Sequence, residues 1–138
     1  MGSERSTSVV IAVDPGRGKC GLAVVAGQGV LLRAIIPTAE VGLTCHYLRR
    51  QYPDSTFVVG NLTGSREVLC AIREACPEAQ LETVEEDMST LHARARYWTD
   101  NPPRGLQRLI PPGMRLPPRP VDDYAAVLLA ERYLDQGA

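Results

Sequence analysis

The stretch SVVIAVDPGRGKCGLAVVAGQGVLLRAIIP, residues 8–37, decides the fold of this chain. It holds three runs rich in β-branched and aliphatic residues, 8–14, 20–27 and 30–37, separated by turns that contain glycine. Such runs predict buried β-strands, and short glycine turns between them predict antiparallel hairpins. We therefore expect a three-stranded antiparallel meander with Asp14 at the carboxyl end of its first strand.

The rest of the chain alternates between helical and extended patterns. Two more apolar runs predict strands at 56–60 and 80–84. The predicted helices are 38–51, 65–76, 89–98 and 121–134, the first two capped by Thr38 and Ser65, with Val41, Cys45, Leu48, Val68, Ile72 and Cys76 facing inward. Right-handed crossovers would make the first, fourth and fifth strands parallel. The predicted fold class is α/β: a mixed five-stranded sheet, three of its strands in an antiparallel meander, with flanking helices.

Length and composition favour a single domain over residues 9–138, preceded by a flexible polar tail at 1–8. No apolar run is long enough for a membrane span, and the first residues lack the apolar region of a signal peptide. The four cysteines form no CxxC pair, which favours reduced core thiols and a cytoplasmic location. The proline-rich loop at 100–120 is expected to hold no regular secondary structure.

Carboxylates follow two of the predicted strands and begin the last predicted helix. Asp14 ends the first strand, Glu85-Glu86-Asp87 follows the fifth, and Asp122-Asp123 opens the helix. Each has a simpler explanation on its own: a turn, a solvated corner and a helix cap. Because the carboxyl ends of parallel strands meet at one edge of a sheet, these acids are expected to form a group there. Hard oxygen ligands of this kind suit Mg²⁺ or Mn²⁺.

Charge is unevenly distributed along a chain whose net charge is only −1. An acidic segment, 74–87, is followed by an arginine-rich one, 92–119, which suits metal-assisted handling of a polyanion, although two solvated faces explain the pattern equally well. The candidate nucleic-acid-binding residues are Arg17, Lys19, Asn61, Arg94, Arg96, Tyr97, Trp98, Arg104, Arg108, Arg115 and Arg119. Tyr97 and Trp98 either stack on bases or anchor the loop to the core.

The segment Gly16–Gly21 matches GxGxxG, but a strand follows it where a dinucleotide-binding motif would open a helix. A nucleotide-binding function is therefore not indicated by this match. The glycines are instead expected to let a phosphate or metal approach the hairpin, with Arg17 and Lys19 either holding phosphates or lying solvated in the turn.

Taken together, the segments resemble the YqgF/RuvC-like group of the ribonuclease H-like superfamily. VVIAVDPGRGKCGLAVV is similar to the family's first hairpin, FVVGNLTGS to its fourth strand, VEEDMST to the end of its fifth strand and VDDYAAVLLAERYL to its last helix. The resemblance implies that Asp14, Glu86 and Asp122 are the catalytic metal ligands. Asp123, Glu85 or Asp87 would supply a further ligand. Asp87 stands where the family has an arginine.

The resemblance implies a divalent-metal-dependent nuclease that uses one or two Mg²⁺ or Mn²⁺ ions. The expected substrate is branched DNA such as a Holliday junction, cleaved by a homodimer. The alternatives are a nuclease that processes precursor ribosomal RNA and a nucleic-acid-binding module of the same fold without turnover. An actin-like ATPase needs two domains around its nucleotide, and 138 residues do not supply them.

Overall fold

The computed structural model describes residues 9–27, 29–61, 65–84, 89–109 and 122–136. The strands are β1 (Val9–Asp14), β2 (Lys19–Ala26), β3 (Gly29–Pro37), β4 (Thr56–Gly60) and β5 (Gln80–Val84). The α-helices in these ranges are α1 (Val41–Gln51), α2 (Ser65–Ala75), α3 (Ser89–Asp100) and α4 (Asp122–Gln136). Two 3₁₀ helices are also present, Thr38–Glu40 and Gly105–Leu109.

The five strands form one mixed sheet in the order β3-β2-β1-β4-β5. β1, β2 and β3 pair as an antiparallel meander, whereas β4 runs parallel to both β1 and β5. The predicted fold class and the predicted strand directions are therefore confirmed. Since β1, β4 and β5 are parallel, their carboxyl ends, at Asp14, Gly60 and Val84, lie at the same edge of the sheet.

Side-chain alternation gives the sheet two apolar faces. Ile11 and Val13 of β1 pack with the buried residues of α1 and α2, which are Val41, Cys45, Leu48, Val68 and Ile72. Val10 and Ala12 face the other way and pack against α4 through Ala126, Val127, Leu129 and Ala130. Because successive side chains alternate between faces, Asp14 shares the α4 face with Val10 and Ala12. The predicted inward residues of the first two helices are all buried, as expected.

Three predictions about local structure are wrong. The hydroxyl of Thr38 does not cap α1; it donates a hydrogen bond of 3.2 Å to the carbonyl oxygen of Gly16, and α1 begins after a 3₁₀ turn without a side-chain cap. Residues 105–109 form a 3₁₀ helix inside the loop that was expected to be irregular. Cys70 is exposed on α2, because it lies on the side of the helix away from Val68 and Ile72.

The remaining cysteines, Cys20, Cys45 and Cys76, are buried free thiols. Burial raises the pKa of the Cys45 thiol to about 12, so this group is protonated at neutral pH and behaves as an apolar side chain. The three residues therefore contribute to the core between the sheet and α1 and α2, as expected for core cysteines.

Several predictions concern residues outside the described ranges: the tail at 1–8, the middle of the hairpin at Gln28, the acids Glu85, Glu86 and Asp87, and the loop from 110 to 121. In the part of the chain that the structure describes, no helix is both long enough and apolar enough to span a membrane.

Candidate metal and nucleic-acid site

Asp14 lies at the carboxyl end of β1, directly opposite Gly21 of β2. Residues opposite each other in an antiparallel pair have α-carbons about 5 Å apart. Gly21 occupies the same face as Ala23, which packs against α4. Asp14 is half-buried, so its carboxylate lies at the margin of the core.

Gly21 brings the first turn of α4 onto this edge of the sheet. A β-carbon built on Gly21 would lie 1.8 Å from the carbonyl oxygen of Asp122 and 2.9 Å from the backbone nitrogen of Asp123. No other residue type fits under the start of α4 without displacing backbone. Since Gly21 faces Asp14 across the strand pair, the same contact places Asp122 beside Asp14.

Asp122 lies close to a cation from the hairpin. Its Oδ2 atom is 3.9 Å from Nζ of Lys19, and the two side chains are 34% and 50% exposed. Ion pairs this exposed contribute about 0–1 kcal/mol to stability. A metal ion or a phosphate can therefore replace either partner at little cost in free energy.

Asp123 has a different environment although it is the next residue. It is 4% exposed, and its Oδ2 accepts a hydrogen bond of 3.0 Å from Nε of Arg33 on β3. The same guanidinium lies 4.2 Å from the centre of the Tyr124 ring and 3.7 Å from Asp100 Oδ2. Asp123 is thus buried in an ion pair with Arg33, whereas Asp122, the residue before it, is one-third exposed at the edge of the sheet.

The loop between β1 and β2 is fixed by the start of the first 3₁₀ helix. Thr38 donates from its hydroxyl to the carbonyl of Gly16, and its backbone N–H donates to the carbonyl of Gly18 at 3.1 Å. A β-carbon on Gly16 would lie 2.3 Å from the carbonyl oxygen of Lys19, so the turn is tight as well as anchored. Arg17 and Lys19 are exposed on a turn whose backbone is held in place.

The donor set at this edge fits a hard divalent cation. Asp14 and Asp122 supply carboxylate oxygens, which Mg²⁺ and Mn²⁺ prefer. Within the described ranges, no group of three His, Cys, Asp or Glu side chains is placed to hold a metal ion. Glu86, the third predicted ligand, lies outside those ranges.

Tyr97 and Trp98, the two aromatic residues predicted either to stack on bases or to anchor the loop, differ in their exposure. Tyr97 is 8% exposed, and its ring meets the Tyr124 ring edge-on at 5.9 Å. Trp98 is half-buried and packs edge-on against Tyr97 at 5.1 Å. This placement favours the anchoring alternative for Tyr97, because a base cannot stack on a ring that lies between α3 and α4.

Besides Arg17 and Lys19, the basic residues predicted to bind nucleic acid fall into three groups. Arg96 donates to Glu131 of α4 at 3.0 and 3.4 Å; this hydrogen bond raises the pKa of its guanidinium, and Arg94 lies half-buried on the same helix. Arg104 and Arg108 are exposed around the second 3₁₀ helix. Arg115 and Arg119 lie outside the described residues. Asn61, exposed at the carboxyl end of β4, donates its backbone N–H to Val84.

No protein-family model and no curated protein sequence matches the chain. Solved structures do. The structure of Thermus thermophilus RuvC matches with a TM-score of 0.57 and 20% identity, covering 94% of this chain and 96% of that chain. The structure of T. thermophilus RuvC in complex with Holliday junction substrate matches over the same shares, with a TM-score of 0.60 and 18% identity.

The chain has a RuvC-like fold. At 18–20% identity the likeness concerns the arrangement of strands and helices, and it extends over nearly all of both chains. The ribonuclease H-like architecture predicted from the sequence is therefore confirmed. The likeness to the YqgF branch stays a prediction.

Sequence reasoning did not identify two residues of the site. Arg33 is the only charged residue in the strand GVLLRAIIP. A single charge in an otherwise apolar strand indicates a partner of opposite charge. Gly21 was noted only as part of a hairpin, yet a glycine inside a predicted strand is itself a sign of close backbone approach.

Proposed function

We propose that this protein is a divalent-metal-dependent nuclease that hydrolyses phosphodiester bonds in branched DNA. The observation that carries the proposal is the contact of Asp122 with Gly21, which brings two carboxylates from distant parts of the chain to the carboxyl edge of β1. The RuvC-like fold supports it, since one of the similar structures is a RuvC bound to a Holliday junction substrate.

Asp14 and Asp122 would be two of the metal ligands, and Glu86 would be the third. Val84, the last residue of β5, packs against α4. Glu86 lies outside the described residues and belongs to the proposal on the family resemblance alone.

Asp123 is not part of this proposed ligand set. Its Oδ2 is hydrogen-bonded to Arg33 and its side chain is buried, so coordination would break an ion pair inside the protein. A bound Mg²⁺ or Mn²⁺ would supply an activated water and neutralise charge on the leaving oxygen. Lys19 is exposed beside Asp122 and would hold the phosphate next to the scissile bond.

Exposed arginines would bind the phosphate backbone. Arg17 projects from the anchored turn, and Arg104 and Arg108 are exposed beyond the end of α3. Arg115 and Arg119, from the same loop, belong to the proposal on sequence grounds alone. Phosphate contacts of this kind make affinity fall as salt rises, with a slope of about −0.9 per phosphate on a log–log plot.

Asp14→Asn tests the proposal in a cleavage assay on a four-way DNA junction with Mn²⁺. We expect the rate to fall about 100-fold or more, since a lost ligand removes several kcal/mol of charge stabilisation in the transition state. Asp54→Asn is the matched control, because Asp54 is exposed in the turn before β4, at the opposite edge of the sheet. Equal cleavage by Asp14→Asn and Asp54→Asn would remove Asp14 from the mechanism.

Cleavage and binding assays with DNA and RNA substrates distinguish the two alternative functions. Cleavage restricted to structured RNA, with dependence on the 2′-hydroxyl, would replace DNA by precursor RNA as the substrate. Junction binding by the wild type without any metal-dependent cleavage would establish a binding module. The nuclease proposal includes a cytoplasmic location, whether the substrate is DNA or RNA.

A further inference from the structure

Arg33 of β3 contacts three residues near the start of α4. It lies opposite Ala23 of β2, and Ala23 packs on the α4 face of the sheet, so the Arg33 side chain faces that helix. Its Nε atom is 3.0 Å from Asp123 Oδ2, and its guanidinium carbon lies 4.2 Å above the Tyr124 ring. Its Nη1 atom is 3.7 Å from Asp100 Oδ2, at the last residue of α3.

These contacts differ in the extent to which they are buried. The Asp123 side chain is 6% exposed, whereas those of Arg33 and Asp100 are 35% and 40% exposed. A buried carboxylate is stabilised by a cation beside it, because burial of a charge is otherwise strongly disfavoured. The Arg33–Asp123 pair therefore helps to hold the first turn of α4 against the edge strand.

We infer that Arg33 is a positioning residue for the Asp14–Asp122 site, acting through Asp123; this inference rests on the proposed function. Asp122 and Asp123 share one peptide group, and the backbone of both touches Gly21. Arg33 holds the helix from the β3 side while Gly21 allows it to approach the sheet. Moving Asp123 must move Asp122, and with it the separation of the two carboxylates at the edge.

The chain contains a matched control for this contact. Arg96 of α3 pairs with Glu131 of α4 at 3.0 Å, the same distance as the Arg33–Asp123 pair. Glu131 lies nine residues beyond Asp122 on the same helix, about 13 Å along its axis. Glu131→Gln removes this pair and leaves Arg96 beside Asp100, so it tests the effect of one fewer ion pair on α4 without disturbing the residues that Arg33 contacts.

The experiment compares Arg33→Met with Glu131→Gln. Mn²⁺ binding is measured by calorimetry on the protein alone, and junction cleavage is measured at saturating Mn²⁺. For Arg33→Met we expect a rise of about tenfold or more in the Mn²⁺ dissociation constant, the size of effect seen when a residue that orients metal ligands is removed. We also expect kcat to fall while KM for the junction changes less than about threefold, since the change acts on the metal site. Glu131→Gln should keep the wild-type Mn²⁺ affinity.

Two further variants separate positioning from loss of folding. Arg33→Lys keeps a cation near Asp123, and its Mn²⁺ affinity should lie between those of the wild type and Arg33→Met. The double variant Arg33→Met/Asp123→Asn should bind Mn²⁺ no more weakly than Arg33→Met, because both substitutions remove the same Arg33–Asp123 ion pair.

Each outcome bears on one of the two proposals. If the wild type binds Mn²⁺ and cleaves but Arg33→Met matches Glu131→Gln in Mn²⁺ affinity, the positioning role is overturned and the nuclease function stands. A double variant that binds Mn²⁺ more weakly than Arg33→Met would also overturn it, since Asp123 would then act on the metal independently of Arg33. If the wild type neither binds Mn²⁺ nor cleaves, the nuclease function fails and the inference fails with it.

Discussion

Adjacent residues with the same side chain have different environments at the start of α4. Asp122 is one-third exposed beside Lys19, whereas Asp123 is buried against Arg33. The family resemblance favours Asp122 over Asp123, but the residues alone give no physical reason for that preference. The reason lies in a residue 90 positions earlier in the chain, because the pairing of β2 with β3 brings Arg33 to Asp123. The different environments of the two acids are therefore a result of tertiary structure.

Gly21→Ala should weaken the fold and the site together. The added β-carbon would lie 1.8 Å from the Asp122 carbonyl oxygen, a backbone atom that moves only if α4 moves. We expect the free energy of unfolding to drop by about 2 kcal/mol or more, as in other cases of overpacking. Denaturant unfolding with a two-state fit measures this drop.

Gly18→Ala is the control for that substitution. It lies in the same hairpin, and a β-carbon there would meet no atom within 4 Å. Its effect on the free energy of unfolding should stay within about 0.5 kcal/mol, the usual range for surface substitutions. A Gly21→Ala protein as stable as Gly18→Ala would show that α4 does not rest on β2 in solution.

At the scale of elements, α4 is attached to the sheet at both ends. Its first turn meets β2 and β3 through Gly21 and Arg33. Near its other end, Tyr133 donates its hydroxyl to the carboxylate of Glu82 on β5. That hydrogen bond is the main reason that the pKa of Tyr133 is raised to about 12, with smaller contributions from burial and from the Glu82 charge.

Stability in alkaline solution should report on this attachment. A phenol with a folded-state pKa of about 12 and an unfolded pKa of about 10 stabilises the fold fully below pH 10. The contribution declines as pH rises from 10 to 12, because the folded protein then retains a proton that the unfolded chain loses. The difference in unfolding free energy between the wild type and Tyr133→Phe should therefore shrink over that interval. Glu82→Gln, which removes the carboxylate, should reduce the decline to the part caused by burial; an unchanged decline in Glu82→Gln would exclude Glu82 as its cause.

The strands were predictable because local signals agree with the tertiary structure. β4 and β5 have the predicted bounds, and β1 ends at the predicted residue, since each is an apolar run followed by turn residues. The start of α1 was not predictable in this way. Thr38 has the residue type of a helix cap, but its hydroxyl bonds to Gly16, which β2–β3 pairing brings near it. The same limit applies to Cys70, whose position on the helix decides its exposure.

At the scale of the whole molecule, the fold brings the two halves of the candidate site together from opposite ends of the chain. Asp14 lies in the first strand and Asp122 in the last helix, and the five-stranded order places both at one edge. The net charge of −1 gives no general attraction to DNA, so the proposed function requires local arginines such as Arg17, Arg104 and Arg108. A single nuclease site would cut one strand, whereas resolving a symmetric four-way junction requires two cuts.

Junction resolution therefore requires a dimer with two sites related by a twofold axis. On a plasmid with an extruded cruciform, paired cuts give linear DNA and a single cut gives a nicked circle. Mixing wild type with Asp14→Asn should raise the share of nicked circles, because dimers with one working site make one cut. Light scattering should give the mass of two chains under the same conditions. A single-chain mass, together with a nicked share that does not change on mixing, would rule out paired cleavage by a dimer and leave a nuclease that cuts one strand at a time.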